Sequence, residues 1–298
     1  MLKVNNLSLK LGDKKILEDI NFNVKKGTIL GLVGPSGVGK TSLIKALVGI
    51  YEGNGGEILL NEEKIYDNSE VKKKIAYVPD EHNSFYLISI KEIVNYYKLI
   101  YDNFDENRFN KINSIFKIPI NKRFFQLSKG MKVRVNLMLA LSLNGELLVL
   151  DEPTSGLIPI LKEKVLKLIM EEVIDKERVI IISSHNLIEL ERICDDIIML
   201  DEGKIAYHNS LEGIKKNIKK IQVAFDMPVY KEDLNIDGIF SISQIGRVFT
   251  IVTDKYDNIF KEKLEEFNPL FIEEIDLSLE EVFIHKLEKE DDYEEIFK

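Results

Sequence analysis

Residues 27 to 50 read GTILGLVGPSGVGKTSLIKALVGI, an apolar run interrupted by a glycine-rich loop and resumed as a periodic apolar stretch opening on Lys40 and Thr41. From Gly34 to Thr41 the spacing is G-x-x-x-x-G-K-T. Only a buried strand, a tight loop and a helix in immediate succession accommodate it. Such a corner turns successive backbone N–H groups inward, building a concave anion site at a helix N-terminus. Glycine is required where the backbone needs positive φ or must approach a phosphate without a Cβ in the way. The reading is a phosphate-binding loop, with Gly34, Pro35, Ser36, Gly37, Val38, Gly39, Lys40, Thr41 and Ser42 as the nucleotide-binding residues.

The rest of the chain extends this corner into an α/β architecture. KVNNLSLKL and LEDINFNV alternate apolar and polar residues like an antiparallel strand pair, while ELLVLDE (146–152) and RVIIISSH (178–185) are buried strands separated by helical patterns. Alternating buried strands and helices predict a mostly parallel sheet covered on both faces. From about 85 to 145 the spacing of apolar residues is helical, predicting a helical subdomain inserted in that sheet. After residue 218 short alternating strands return, followed by a helix capped by Ser278 and Glu281. The expected domains are therefore 1–218 and a small α+β appendage, 219–298.

The chain of 298 residues has a formal net charge of −9, and 20 of its 50 acids but only 8 of its 41 Lys and Arg lie beyond residue 220. The acidic tail EKEDDYEEIFK argues against nucleic acid as a partner, since phosphate contacts want Lys and Arg. A single cysteine, Cys194, in an apolar context reads as a buried structural thiol. No window approaches the eighteen apolar residues of a membrane span, and the N-terminus lacks a leader pattern, so a cytoplasmic protein is expected.

Two further motifs carry chemistry. LLVL runs into Asp151 and Glu152; an aspartate ending a buried strand near a phosphate loop can hold Mg²⁺ together with the Thr41 hydroxyl, and Glu152 is then placed to polarise water. LSKGM, Leu127 to Met131, precedes a helix and lies between the phosphate loop and the LLVLDE strand. Here the sequence resembles the ATP-binding cassette family, whose signature is usually LSGGQ. PTSGL, Pro153 to Leu157, is similar to that family's loop between paired cassettes, and IISSHNLIELERICD to its switch segment bearing His185.

The resemblance implies a P-loop NTPase fold with an antiparallel β subdomain and a helical subdomain, ATP and Mg²⁺ as ligands, and head-to-tail pairing with a second nucleotide-binding domain. In that pairing Leu127, Ser128, Lys129, Gly130 and Met131 meet ATP held by the other copy. Lys40, Glu152 and His185 are then catalytic, and Thr41, Asp151 and Asp80 hold the metal. Three positions depart from the family pattern: Leu11 stands where an aromatic stacks on adenine, Asp80 where a metal-contacting glutamine stands, and Ile158 where the loop ends in Asp. The implied function is the ATPase subunit of an exporter of the ABC-2 group, peripheral on the cytoplasmic face of the membrane through separate permease subunits. The aromatics of EHNSFYLISIKEIVNYY would line the permease groove. A soluble non-transport cassette and a nucleotide-dependent binding module with weak hydrolysis stay open, as does homo- or heterodimerisation.

Overall fold

The computed structural model describes residues 1–80 and 85–287. The Glu81–Ser84 part of the expected permease groove and the acidic tail from Glu288 lie outside the described residues. The chain divides into two compact units after His208, ten residues ahead of the expected boundary at 218.

In the first unit, β1 (Leu2–Leu11) and β2 (Lys14–Val24) form the expected antiparallel pair, alternation burying Leu2, Val4, Leu7 and Leu9. Next come β3 (Ile29–Val33), α1 (Lys40–Leu47), β4 (Gly55–Leu60), β5 (Glu63–Lys64), α2 (Ser69–Lys72) and β6 (Ile75–Val78). The helical stretch follows as α3 (Ile90–Ile100), α4 (Glu106–Phe116) and α5 (Lys129–Leu141). Then β7 (Leu147–Asp151), α6 (Pro159–Lys176), β8 (Val179–Ser183), α7 (Leu187–Ile193), β9 (Asp196–Asp201) and β10 (Lys204–Ser210) close the alternation.

Four of these strands make a small sheet in the order β2-β1-β4-β5, and six make the central one, β10-β9-β3-β8-β7-β6. Strands β9, β3, β8, β7 and β6 run parallel, and β3, β7 and β8 are buried along their whole length. Each buried Leu, Ile or Val there contributes about 1.5–3 kcal/mol relative to exposure. Parallel pairing has a functional consequence: the carboxyl ends of β3, β6, β7 and β8 share one edge, which is where open α/β sheets present their sites.

The second unit holds α8 (Leu211–Asn217), β11 (Lys219–Phe225), β12 (Ile239–Ile245), β13 (Val248–Thr253), α9 (Asn258–Glu265), β14 (Pro269–Ile275) and α10 (Leu279–Leu287). Its antiparallel sheet is ordered β12-β13-β11-β14, and Ile221, Val223, Phe225, Phe249 and Ile251 pack on Phe260 and Leu264 of α9. Glu281 accepts from the Ser278 N–H at 3.0 Å and its own N–H donates to Ser278 Oγ at 3.3 Å, the capping box expected of that sequence.

Candidate nucleotide site

The loop after β3 is shaped by its glycines. Gly34, Gly37 and Gly39 have φ of 146°, 80° and 115°, and a Cβ on Gly34 would lie 2.3 Å from the Leu200 carbonyl oxygen. That backbone atom belongs to central strand β9 and has nowhere to go. Gly34→Ala is therefore expected to lower stability by roughly 2 kcal/mol or more and nucleotide affinity about a hundredfold, read by urea unfolding and calorimetric titration. Helix α1 starts on Gly39 with no side-chain cap and no acid in its first turn, so its leading N–H groups are offered to an external anion.

Lys40 is 8% exposed, and its ammonium donates to the Gly34 carbonyl at 2.6 Å and the Pro35 carbonyl at 2.9 Å. Burial holds its pKa below the usual lysine value, against the pull of Glu152 and Asp151. Asp151 ends β7 in register with Ser183 of β8, whose hydroxyl donates to Asp151 Oδ1 at 2.6 Å. Burial pushes the Asp151 carboxyl up, and the Ser183 and Thr41 hydroxyls work the other way. Its second oxygen, Oδ2, is buried and has no hydrogen-bond partner among the described residues.

That orphaned anionic oxygen, with the Thr41 hydroxyl beside it, fits a hard divalent cation. Asp80 lines the same cavity and, by its charge, raises Asp151 further. Among the described residues no group of three or more His, Cys, Asp or Glu could hold a metal ion alone. Mg²⁺ suits such a sparse protein set, because it takes its other ligands from water and phosphate.

Glu152 adopts a left-handed conformation, φ 51°, fixed by its N–H, which lies 3.1 Å from Ser183 Oγ and 3.2 Å from the Ser183 carbonyl. Its Oε1 is 3.3 Å from His185 Nε2, and its Oε2 accepts from the His185 N–H at 3.4 Å. Burial raises its pKa, opposed by His185 and reinforced by Asp151 and Asp80. A carboxylate with raised basicity at the mouth of a phosphate site is a competent proton acceptor.

Ser36, Gly37, Gly39, Lys40, Thr41 and Ser42 thus share a cavity of about 230 Å³ with Asp80, Asp151, Glu152 and His185. The remaining wall is Ile16 of β2. Leu11, expected against the adenine, is 40% exposed at the end of β1 and lies outside this phosphate cavity. So do Leu127, Ser128, Lys129, Gly130 and Met131. Ser128 caps α5, its hydroxyl accepting from the Met131 N–H at 3.4 Å, while Lys129 Nζ donates to Ser155 Oγ at 3.2 Å.

Sequence reasoning missed a buried network beside the site. The Thr154 hydroxyl donates to Glu189 Oε2 at 2.6 Å, and Lys162 and Asn186 reach Glu189 Oε1 at 2.8 and 3.0 Å. It ties the loop after Glu152 to the turn after His185. Its signal was only a glutamate on a short helix, which ordinarily reads as a solvated face. Cys194 is a buried free thiol whose pKa burial pushes up, as its apolar context implied.

The sequence profile of the ABC transporter family matches residues 17–155. The ABC transporter ATP-binding protein YtrB of Bacillus subtilis is 32% identical over 286 residues, 96% of this chain and 98% of that protein. The chain belongs to the ABC transporter family. Another member, the lantibiotic transport ATP-binding protein SrtF of Streptococcus pyogenes, is 31% identical over 76% of this chain and 99% of its own length. A solved ATP binding subunit of an ABC transporter matches with a TM-score of 0.67 at 26% identity, covering 72% of this chain and 92% of that one. The first unit is accordingly an ABC ATPase domain, and the ABC cassette fold explains why phosphate loop, acidic pair and His185 meet on one sheet edge.

Proposed function

We propose that this chain is the ATP-hydrolysing subunit of an ABC exporter, working as a dimer of nucleotide-binding domains beneath separate permease subunits on the cytoplasmic face of a membrane. The observation that carries the reading is the cavity in which Lys40, Thr41, Asp151, Glu152 and His185 converge. Lys40 and the N–H groups of the loop grip the phosphates and neutralise their charge. Thr41 and Asp151 would hold Mg²⁺, which supplies charge neutralisation on the β- and γ-phosphates. Glu152 accepts a proton from the attacking water, and His185 keeps the Glu152 carboxylate aimed through its backbone and ring contacts.

A cavity of about 230 Å³ is smaller than the ~300–1,000 Å³ of an enclosed small-molecule pocket, so it takes phosphates and leaves one side open. The exposed Ser128 and Lys129, remote from the chain's own cavity, suit closure of that side by a second copy or a close relative. Export is supported by the likeness to SrtF, named for lantibiotic transport. Among the described residues no helix is long and apolar enough to cross a membrane, which fits a translocation path supplied by other chains.

The test is ATP turnover by the purified chain together with sedimentation of the Glu152→Gln variant. Mg-ATP is expected to drive that variant into a dimer that Ser128→Arg abolishes. Neither turnover nor ATP-dependent association, with itself or a co-expressed relative, would overturn the reading. Association without turnover would favour the nucleotide-dependent binding module instead.

A further inference from the structure

Glu152 and His185 meet through long contacts. Oε1 of Glu152 is 3.3 Å from His185 Nε2, and its Oε2 accepts from the His185 N–H at 3.4 Å, both beyond the usual range of about 2.7–3.2 Å. The His185 side chain is 60% exposed, so packing does not hold it either. Glu152 also keeps φ at 51°, a conformation that a residue with a side chain retains only where its surroundings over-determine it. Something other than the pair itself sets its geometry.

The short bonds lie just outside the pair. Glu189 of α7 is 7% exposed, and both of its oxygens are taken. Thr154 Oγ1 donates to Oε2 at 2.6 Å, while Lys162 Nζ and Asn186 Nδ2 donate to Oε1 at 2.8 and 3.0 Å. Bonds to an ionised carboxylate are roughly twice as strong as neutral ones, and exclusion of water strengthens them further. Thr154 stands two residues after Glu152, and Asn186 directly follows His185. The Ser155 N–H returns to the Glu152 carbonyl at 3.0 Å and the Asn186 N–H to Ser184 Oγ at 3.0 Å, so neither step has slack. A closed ring results, running from Glu152 through Pro153 and Thr154, across Glu189 to Asn186, and back through His185.

Helix capping does not account for this glutamate. Asn186 caps α7 by accepting from the Glu189 N–H at 3.2 Å, a backbone bond that any residue but proline supplies. The Glu189 side chain goes further, gathering Thr154 from the loop after β7 and Lys162 from α6. A buried carboxylate is tolerated only where donors satisfy it, so these partners are held as firmly as they hold Glu189.

We propose that Glu189 is a positioning residue for hydrolysis: by gripping Thr154 and Asn186 it fixes how Glu152 and His185 face each other, and so aims the proton acceptor. The assignment rests on Glu152 being that acceptor. Glu189 itself does not line the cavity of Lys40, Asp151 and Glu152. Its loss therefore leaves the phosphate grip intact and lets the Glu152–His185 pair drift. A misplacement of ~1 Å at a reacting group costs on the order of a hundredfold in rate.

The test compares Thr154→Val, Thr154→Ser, Glu189→Gln and Lys162→Met in the full-length protein. Thr154→Val and Glu189→Gln are expected to lower kcat for Mg-ATP about thirty- to a hundredfold while KM stays within about twofold. Thr154→Ser keeps the hydroxyl and is expected to remain within about threefold of the parent. Lys162→Met removes one charged donor near the surface and should lose about fivefold. It guards against a buried variant that fails to fold, which circular dichroism reports. In the Glu152→Gln background, Thr154→Val is expected to lower the residual single-turnover rate by less than about twofold, because no base is left to aim. A residue that only supports the fold would lower the rate in both backgrounds. The imidazole proton signals of His185, assigned with His185→Gln, give a readout without turnover. Glu152→Gln should move them by removing the neighbouring carboxylate, and Thr154→Val should move them in the same direction. Parental kcat in Thr154→Val and Glu189→Gln, a matching rise in KM, full additivity with Glu152→Gln, or a His185 signal that Thr154→Val leaves in place each overturns the proposal. Turnover untouched by Glu152→Gln would instead remove the reading of Glu152 as the base, and the His185 signals would still judge whether Glu189 sets the pair's geometry.

Discussion

Replacing Glu152 by Gln is expected to lower ATP turnover about a thousandfold, leave nucleotide affinity within about twofold, and make the protein more stable at neutral pH. Loss of a positioned general base typically costs 10²–10⁴ in rate. Gln preserves the side chain's shape and can still meet His185, so the phosphate cradle around Lys40 is left intact. The stability gain follows from linkage. Burial raises the Glu152 pKa, so between its unfolded and folded values the native protein holds a proton that the unfolded chain has released. Stability is then undiminished below the ordinary glutamate range and is lost as pH rises through the folded value. Gln carries no such penalty. The variant should exceed the parent by about 1 kcal/mol near pH 8, a size common for relieved active-site strain, and match it below about pH 4, where both forms of the parent are protonated. Urea melts across that range check the sign. Undiminished turnover would remove Glu152 from the chemistry, and a stability gap that does not shrink in acid would remove burial as the cause of its raised pKa.

How much of this site is legible in the sequence depends on the range of the interaction. The phosphate loop is local: spacing and glycine alone define it, because the chain that turns is the chain that binds. Asp151 and Glu152 are nearly so, since LLVL marks a buried strand whose end must reach the sheet's edge. Ser183 is different. It matters because β7 and β8 pair with Asp151 opposite Ser183, and no spacing within either strand sets that register. Which residue of the β1–β2 hairpin lines the phosphate cavity is hidden for the same reason. The β1–β2 ladder carries several register irregularities, so which hairpin residue overhangs the loop is fixed by bulges rather than by position. Ile16 lines the cavity, its carbonyl lying 3.2 Å from where a Cβ on Gly39 would stand and seating β2 against the loop. The unit boundary differs for a related reason: a composition change after 218 cannot reveal that α8 falls in the second compact unit.

Arg108, Glu172 and Arg178, the first distant in sequence from the other two and all carrying no motif, form the group whose disruption should destabilise the first unit most. Glu172 of α6 is fully buried between Arg108 of α4, which also donates from Nε to the Leu141 carbonyl at 2.9 Å, and Arg178, which is 1% exposed just before β8. Arg178 Nε and Nη2 have no partner among the described residues, and burial depresses its pKa against the pull of Glu172. Glu172→Ala would therefore strand a buried guanidinium and free α4 from α6. Removing one partner of a buried pair costs about 3–5 kcal/mol, which at ~2–4 °C per kcal/mol for a domain of this size lowers the melting temperature by about 10 °C. The attraction itself need not be net stabilising, because two or three charges were desolvated to form it. Replacing all three residues together, Arg108→Met, Glu172→Leu and Arg178→Met, should accordingly recover most of the loss. Calorimetric melting of the single and triple variants separates the two terms. A single variant as stable as the parent would mean that water reaches the group and screens it, and a triple variant as damaged as the single would mean that the pairing, rather than the relief of stranded charge, holds α4 to the core.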